Sequence, residues 1–423
     1  MNDATGDGFQ PLGAHFLSYR QSDGTTVTDE IMWRLRAAGI PVWRDASDLL
    51  PGDTSERLIE ALAEGLAGGV LVITGEVAHS SVVRDLEAPR LIALSQQTQF
   101  ALTIANTVVD EHGQADHGAP DRLLQRDDGK LRGVLQYAIG DPAEMRKLVD
   151  GVRNLRMRNA RAQINAEGAR ARIDVQTRNH GAAGDRTGAE LDIRIKPSGS
   201  GPLPDAEGLR YFADAAPGLP AALTRAGAQR VLITGGAHLS FALALGTLLP
   251  ATRIGHMEVV DQYDQHWAAG NEHHPAVRDD LLTTIEMREP NQDGPVCLYL
   301  DLRDGPSDAA YDTFIREHEP GFAAFAHVRP TLAGSLDPAQ ARDLATGCAS
   351  FARLLSGSHA NAELHLLYRG PFGLAVLIGR LLNTVRTVAY EWDPSTPGSP
   401  RYVATLRCVP SDMTEPVQVL LTP

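Results

Sequence analysis

The sequence predicts an α/β protein, with a doubly wound parallel sheet in its first third and a nucleotide-binding α/β unit that occurs twice after it. Three observations carry this reading. Apolar strands alternate with amphipathic helices over residues 14–104, the rhythm of a sheet covered on both faces. Gly69–Thr74 (GVLVIT) is apolar throughout, as a strand buried on both faces must be. Val231–Glu258 matches Leu364–Glu391 without a gap at an offset of 133 residues, pairing Gly246 with Gly379, Arg253 with Arg386 and Glu258 with Glu391. Each copy reads as a strand, a Gly-rich turn, a small-residue helix and a second strand, half of a nucleotide-binding unit. Two such halves form a cleft of approximate two-fold symmetry, suited to a ligand that is itself built of repeats.

The elements follow in order. Ala14–Tyr19 is an apolar strand, and Thr28–Ala38 places Ile31, Leu35 and Ala38 on one helical face before Gly39 ends it. Ile40–Trp43 is a second strand. Asp53 and Glu56 form a capping box, opening a helix with Leu58, Ile59, Leu62 and Leu66 inward. After GVLVIT, Ser80 or Ser81 caps the next helix, and Phe100–Ile104 is another strand. Residues 145–172 carry Arg146, Lys147, Arg153, Arg156, Arg158, Arg161, Arg170 and Arg172 against few acids. They read as a solvated basic helical linker, or as a surface for an acidic neighbour or the ligand. Arg172–Thr177 and Glu190–Lys196 alternate with period two around HGAAGDRTG and read as a hairpin. Domains are therefore expected at 1–142, 143–171 and 172–423. The last holds the hairpin (172–208) and two halves near 209–330 and 331–423.

Composition excludes several classes. No apolar run reaches the roughly 20 residues of a membrane span, and the polar, acidic N-terminus is not a signal peptide. Cys297, Cys348 and Cys408 form no CxxC pair, which rules out a disulfide framework and a thiolate zinc site. A cytoplasmic protein is expected. A net charge of −14 argues against a broad basic face for long nucleic acid, but a small anion held locally at helix N-termini remains open. His273 and His274, with Asp261 and His266, lack HxxxH or HExxH spacing, so no metal is expected. GGAHLS is not a GxSxG elbow, and neither Walker A nor GxGxxG occurs. No cofactor is expected.

The strand end FLSYRQSDG, the segment VWRDASDLLPGD and the Ser-led helix SSVVRDLEAPRLIAL stand in the order of TIR domains. Residues 13–138 thus resemble that family, which implies a flavodoxin-like fold. Its enzymatic members cleave NAD⁺ with a Glu on the helix after the third strand, and its other members are scaffolds. Glu87 is the matching carboxylate, with Asp85 two residues away as the alternative; Val82 or Val83 stands where the family often has Trp. Ser18, Tyr19 and Arg20 end the first strand, where doubly wound folds place ligands; Asp45 and Gly52, in a BB loop at Asp45–Asp53, are further candidates for substrate contact, and Trp43 reads as core or as a base-stacking substrate neighbour. A single carboxylate suffices chemically. It stabilises an oxocarbenium-like ribosyl centre, and the pyridine leaves neutral without a general acid.

The internal repeat, SHANAELHLLYRGPFGLAVLIGRLLN and the closing VAYEWDPSTPGSPRYVATLR are similar to the SAVED family, sensors built from two CARF/Rossmann-like halves. The combination resembles TIR–SAVED effectors of bacterial CBASS anti-phage systems. That resemblance implies NAD⁺ as substrate, cyclic tri-AMP or a related cyclic oligoadenylate as activator, and homo-multimers on ligand binding. The turns at Gly235, Gly236, His238 and Ser240 and at Arg369, Gly370, Phe372 and Gly373 are expected to receive phosphates through free backbone N–H groups. Tyr368, Phe372 and Trp392 offer faces for adenine, and Lys196 and Arg369 are candidate phosphate partners.

Overall fold

Five strands form the N-terminal sheet, and two of its inner strands are buried throughout. A computed structural model describes residues 8–43, 59, 61–126, 128–178, 186–199, 201–270, 279–305, 307–395 and 400–421. Contacts divide the chain into two units, Met1–Ala166 with His180–Arg194, and Glu167–Asn179 with Ile195–Pro423. In the first, β1 (Phe9–Ser18), β2 (Val42–Trp43), β3 (Leu66–Ile73), β4 (Ala101–Asn106) and β5 (Leu135–Ala138) pair in the order β2-β1-β3-β4-β5, all parallel. Every residue of β3 is buried, as the unbroken apolar run requires. The winding reverses between β1 and β3, and ligands of such sheets lie beyond the strand ends at that switch.

The basic helix departs from its sequence reading. Pro142–Ala166 is one helix that buries Met145, Leu148, Val152, Met157 and Ile164 within the first unit, together with Arg153 and Arg156. Arg156 donates to the carbonyls of Glu190 (2.7 Å), Gly13 (2.9 Å) and Ala189 (3.1 Å). A buried guanidinium is tolerable when its donors are met this way. The helix is therefore a packed element of the first unit and not a solvated linker.

The second unit begins with β6 (Arg170–Gln176), whereas β7 (Leu191–Arg194) counts with the first unit, where Asp192 N–H donates to Gly39 C=O at 2.9 Å. Next come β8 (Arg230–Gly236), β9 (His256–Asp261) and β10 (His266–Gly270), giving the order β10-β9-β8-β6 within this unit. A seven-stranded sheet follows from β11 (Leu282–Arg288), β12 (Val296–Asp301), β13 (Ala324–Pro330), β14 (Leu364–Arg369), β15 (Thr387–Asp393), β16 (Arg401–Cys408) and β17 (Val417–Val419). Its order is β11-β13-β12-β14-β15-β16-β17. Because β12 pairs in parallel with both β13 and β14, residues 282–330 belong to the second half and not to the first, as the boundary near 330 had placed them.

The repeat itself is real but gapped. Ile233 pairs with Val259, whereas its counterpart Leu366 pairs with Ala389. In the second strand of each copy the offset is thus 130, so Asp261, and not Glu258, is the counterpart of Glu391. The first copy spends three more residues between helix and strand. The two helices of the repeat, Leu239–Leu248 and Phe372–Leu381, pack against each other through glycine. A Cβ on Gly246 would lie 2.1 Å from Val376 O, and one on Gly379 would lie 2.1 Å from Leu243 O. The same contact is made twice, once from each copy.

Gly246→Ala or Gly379→Ala should therefore destabilise the second unit by about 1–3 kcal/mol through overpacking. Gly357→Ala, whose Cβ would meet open space, should be neutral or stabilising. Thermal melts of the three variants check this.

Candidate functional site

Beyond the C-terminal end of β1, the chain turns through Tyr19 and Arg20 into the helix Gln21–Ala37. Facing it, a helix over 81–94 starts where the Ser80 hydroxyl accepts the Val83 N–H at 3.3 Å, the cap expected from sequence. Its segment Val83–Glu87 is a π turn, followed by Pro89 in the first turn of Ala88–Leu94. A proline ring presses on the carbonyl four residues back, and the wider turn relieves that clash. Here the widened stretch ends on Glu87.

Glu87 is 7% exposed, and Ser18 Oγ donates to its carboxylate at 2.7 Å. Together with Tyr19, Arg20, Gln21, His79, Ser80 and Val83, it lines a cavity of about 290 Å³. Arg20 pairs with Asp23 at 3.2 Å at the cavity's edge. Asp85 points away: it is bound by Arg84 at 2.8 Å and largely in solvent, and that guanidinium holds its pKa below the usual value. Among the two carboxylates left open by the sequence, Glu87 is the one in the cavity. Trp43 is corrected from substrate neighbour to core, being 2% exposed and stacked on Phe16 at 5.6 Å. Asp45, Gly52 and the rest of the BB-loop segment, the Asp53–Glu56 capping box with Leu58, and His273 and His274 lie outside the described residues.

The second unit holds a cavity of about 580 Å³ between the two Gly-rich turns, lined by Gly235, Gly236, Gly370, Pro371 and Phe372. Residues of both turns thus line one cavity. Gly235 has φ +101°, and a Cβ there would lie 2.2 Å from Val175 O, so only glycine serves. The lining also includes residues that sequence reasoning missed: Arg178, Asp261, Gln262, Tyr263, Gln265, Trp267, Arg303 and Asp304. The two arginines follow β6 and β12, and the signal that would have found them is the pairing of those strands with the repeat.

Several expected ligand contacts have internal partners instead. The Ser240 N–H donates to Glu391 at 2.6 Å, so the first helix N-terminus is already occupied by a carboxyl group. Burial raises the Glu391 pKa, and the Ser240 bonds oppose that rise. At the second helix, the Trp267 ring lies against Gly373 while its Nε1–H donates to Asp261 at 3.2 Å. Neither helix start matches the open phosphate cup that was expected. His238 is 4% exposed and bonded through its ring to Thr177 Oγ1 (2.7 Å) and Pro202 O (3.0 Å). Tyr368 is buried beneath the second turn and donates to Pro371 O at 2.9 Å, so it offers no stacking face. Arg369 is held by Asp301 at 2.6 Å and by Gly305 O at 2.8 Å, and Lys196 is paired with Glu207. Trp392 is 47% exposed but does not line this cavity.

The family model for the SAVED domain, "SMODS-associated and fused to various effectors sensor domain", matches residues 218–407, and the TIR domain model matches residues 16–116. The chain carries a TIR domain followed by a SAVED domain. No curated protein matches it. Among solved structures, the Acinetobacter baumannii Cap4 SAVED/CARF-domain receptor with the cyclic trinucleotide 2′3′3′-cAAA is 13% identical. It covers 93% of this chain and 87% of that one, at TM-score 0.46. The Moraxella osloensis Cap4 receptor is 11% identical, covering 92% and 98%, at TM-score 0.41. Among the described residues, no helix is long and apolar enough to cross a membrane.

The buried histidine of the first Gly-rich turn, beside the SAVED cavity but not in its lining, carries a pH signature. Burial, then the nearby Arg178 charge, depresses His238 to about 4. The unfolded chain protonates this histidine near its ordinary 6.5 and the folded chain does not. Its contribution is thus present above 6.5 and is lost as pH falls toward 4. Between pH 7 and 5 the loss should be on the order of 1–2 kcal/mol, and His238→Gln should melt with a flatter pH dependence than the wild type.

Proposed function

We propose that the protein is an NAD⁺ glycohydrolase gated by a cyclic oligoadenylate, with cyclic tri-AMP the expected activator. The observation that carries this reading is Glu87, an inward carboxylate held by Ser18 at a cavity of a TIR unit, in a chain that also carries a SAVED unit.

In the proposed reaction the nicotinamide N–ribose C1′ bond breaks and its electron pair leaves with neutral nicotinamide. Positive charge then develops on C1′ and the ring oxygen, and the Glu87 carboxylate offsets it at short range. Ser18 keeps one carboxylate oxygen oriented. Arg20 stands at the cavity edge, where a pyrophosphate would extend. Water adding to C1′ and losing a proton yields ADP-ribose, and attack by the adenine of the same molecule would give a cyclic product. NAD⁺ is consumed as substrate and no resident cofactor is needed. Ligand-driven head-to-tail multimers would place a neighbour's BB loop beside Glu87, since a heterologous contact propagates without closing.

Glu87→Gln keeps shape and removes charge. It should lower cyclic tri-AMP-stimulated nicotinamide release by about 10²–10³-fold or more, with cyclic tri-AMP affinity unchanged. Near-wild-type release would overturn the assignment. Ligand binding by wild type with no nicotinamide release would favour a recruiting scaffold.

A further inference from the structure

The repeat extends one strand beyond the matching sequence. Strand β8 runs parallel to β6, with Val231 opposite Ala171 and Gly236 opposite Gln176. Its counterpart β14 runs parallel to β12, with Leu364 opposite Val296 and Arg369 opposite Asp301. Aligning the pairs residue by residue makes β6 and β12 equivalent at an offset of 125. This relation is hidden in the sequences, for RARIDVQ alternates buried with half-buried residues whereas VCLYLD is buried throughout.

Two residues past each strand, the same register places Arg178 and Arg303 at equivalent positions. Both line the SAVED cavity and both are exposed. Neither has an ion pair among the described residues. Arg369, next to Gly370 of the lining, behaves differently, for it is committed to Asp301. Of the two lining acids, Asp261 spends its carboxylate on the Trp267 indole and on the N–H groups of Tyr263 and Gln265. Asp304 adjoins Arg303 in sequence but forms no ion pair with it among the described residues.

We infer that Arg178 and Arg303 are a symmetry-related clamp that takes two phosphodiesters of one ligand, one from each half of the SAVED unit. The inference rests on the cyclic-oligonucleotide reading and adds to it how charge is recognised. With Glu391 at one helix start and Trp267 against the other, guanidinium side chains do the work that the Gly-rich turns were expected to do. A ligand with a single phosphate would engage one arginine and forgo the other.

Calorimetric titration of the full chain with cyclic tri-AMP tests this, using Arg178→Ala, Arg303→Ala and the double variant. Each single variant should weaken binding by roughly ten- to a hundredfold, the scale of one lost charge-assisted hydrogen bond. The two losses should be similar, and Arg→Lys at either position should recover part of the affinity. AMP should bind weakly and be indifferent to which arginine remains. Thermal melts matching wild type would show that the fold is kept. Wild-type affinity in either single variant overturns the clamp while the sensor reading stands. No wild-type binding of cyclic di-, tri- or tetra-AMP sinks the sensor reading, and the clamp with it.

Discussion

Two helices that touch backbone to backbone set the geometry of the whole SAVED unit. Leu239–Leu248 and Phe372–Leu381 approach so closely at Gly246 and Gly379 that no other residue fits either position. Each helix begins where its own Gly-rich turn ends, so fixing the helices fixes the turns. The turns then face one cavity from two sides. The crossing also explains why both helices are built of small and aliphatic residues and are buried nearly all round. A polar stripe on either would be stranded at the contact.

Symmetry of backbone has not kept symmetry of chemistry. At the end of the strand preceding each cavity arginine, the second half has Asp301 locked to Arg369, and Asp301 is further held by Arg329 at 3.0 Å. The equivalent positions in the first half are Gln176 and Gly236, which cannot form such a pair. The acids at the ends of β9 and β15 diverge as well. Glu391 reaches the opposite helix and caps Ser240, whereas Asp261, one methylene shorter, meets Trp267, whose ring lies against Gly373. One half is therefore braced by ions and the other by an indole.

What the sequence shows depends on how local each signal is. The alternation of β1 to β4, the buried run of β3 and the Ser80 cap were legible because a strand or a helix start is decided within a few residues. Glu87 was favoured over Asp85 through resemblance, and the fold adds that, of these two in one widened helical turn, Glu87 lines the cavity. The gap between Gly379 and Glu391 was invisible because two chance identities, Arg253 with Arg386 and Glu258 with Glu391, hid the insertion. Arg156 read as solvated because charge patterning cannot show three carbonyls converging from residues 13, 189 and 190. Arg178 and Arg303 went unseen for the same reason: their equivalence exists only in strand pairing.

The TIR cavity is small for the task proposed for it. About 290 Å³ lies at the lower limit of small-molecule sites, which span roughly 300–1,000 Å³, and a dinucleotide needs more. On the proposed reading Ser18 and Glu87 would meet the nicotinamide ribose, and a cavity of this size leaves the remainder of NAD⁺ outside it. Catalysis by charge stabilisation gains most when water is excluded. On the proposed reading, then, a competent site needs a second surface, supplied by the BB-loop segment of the same chain or of a neighbour. On that reading, where the neighbour supplies it, a carboxylate oriented in advance and an enclosure completed on assembly would together keep NAD⁺ intact until the sensor is filled.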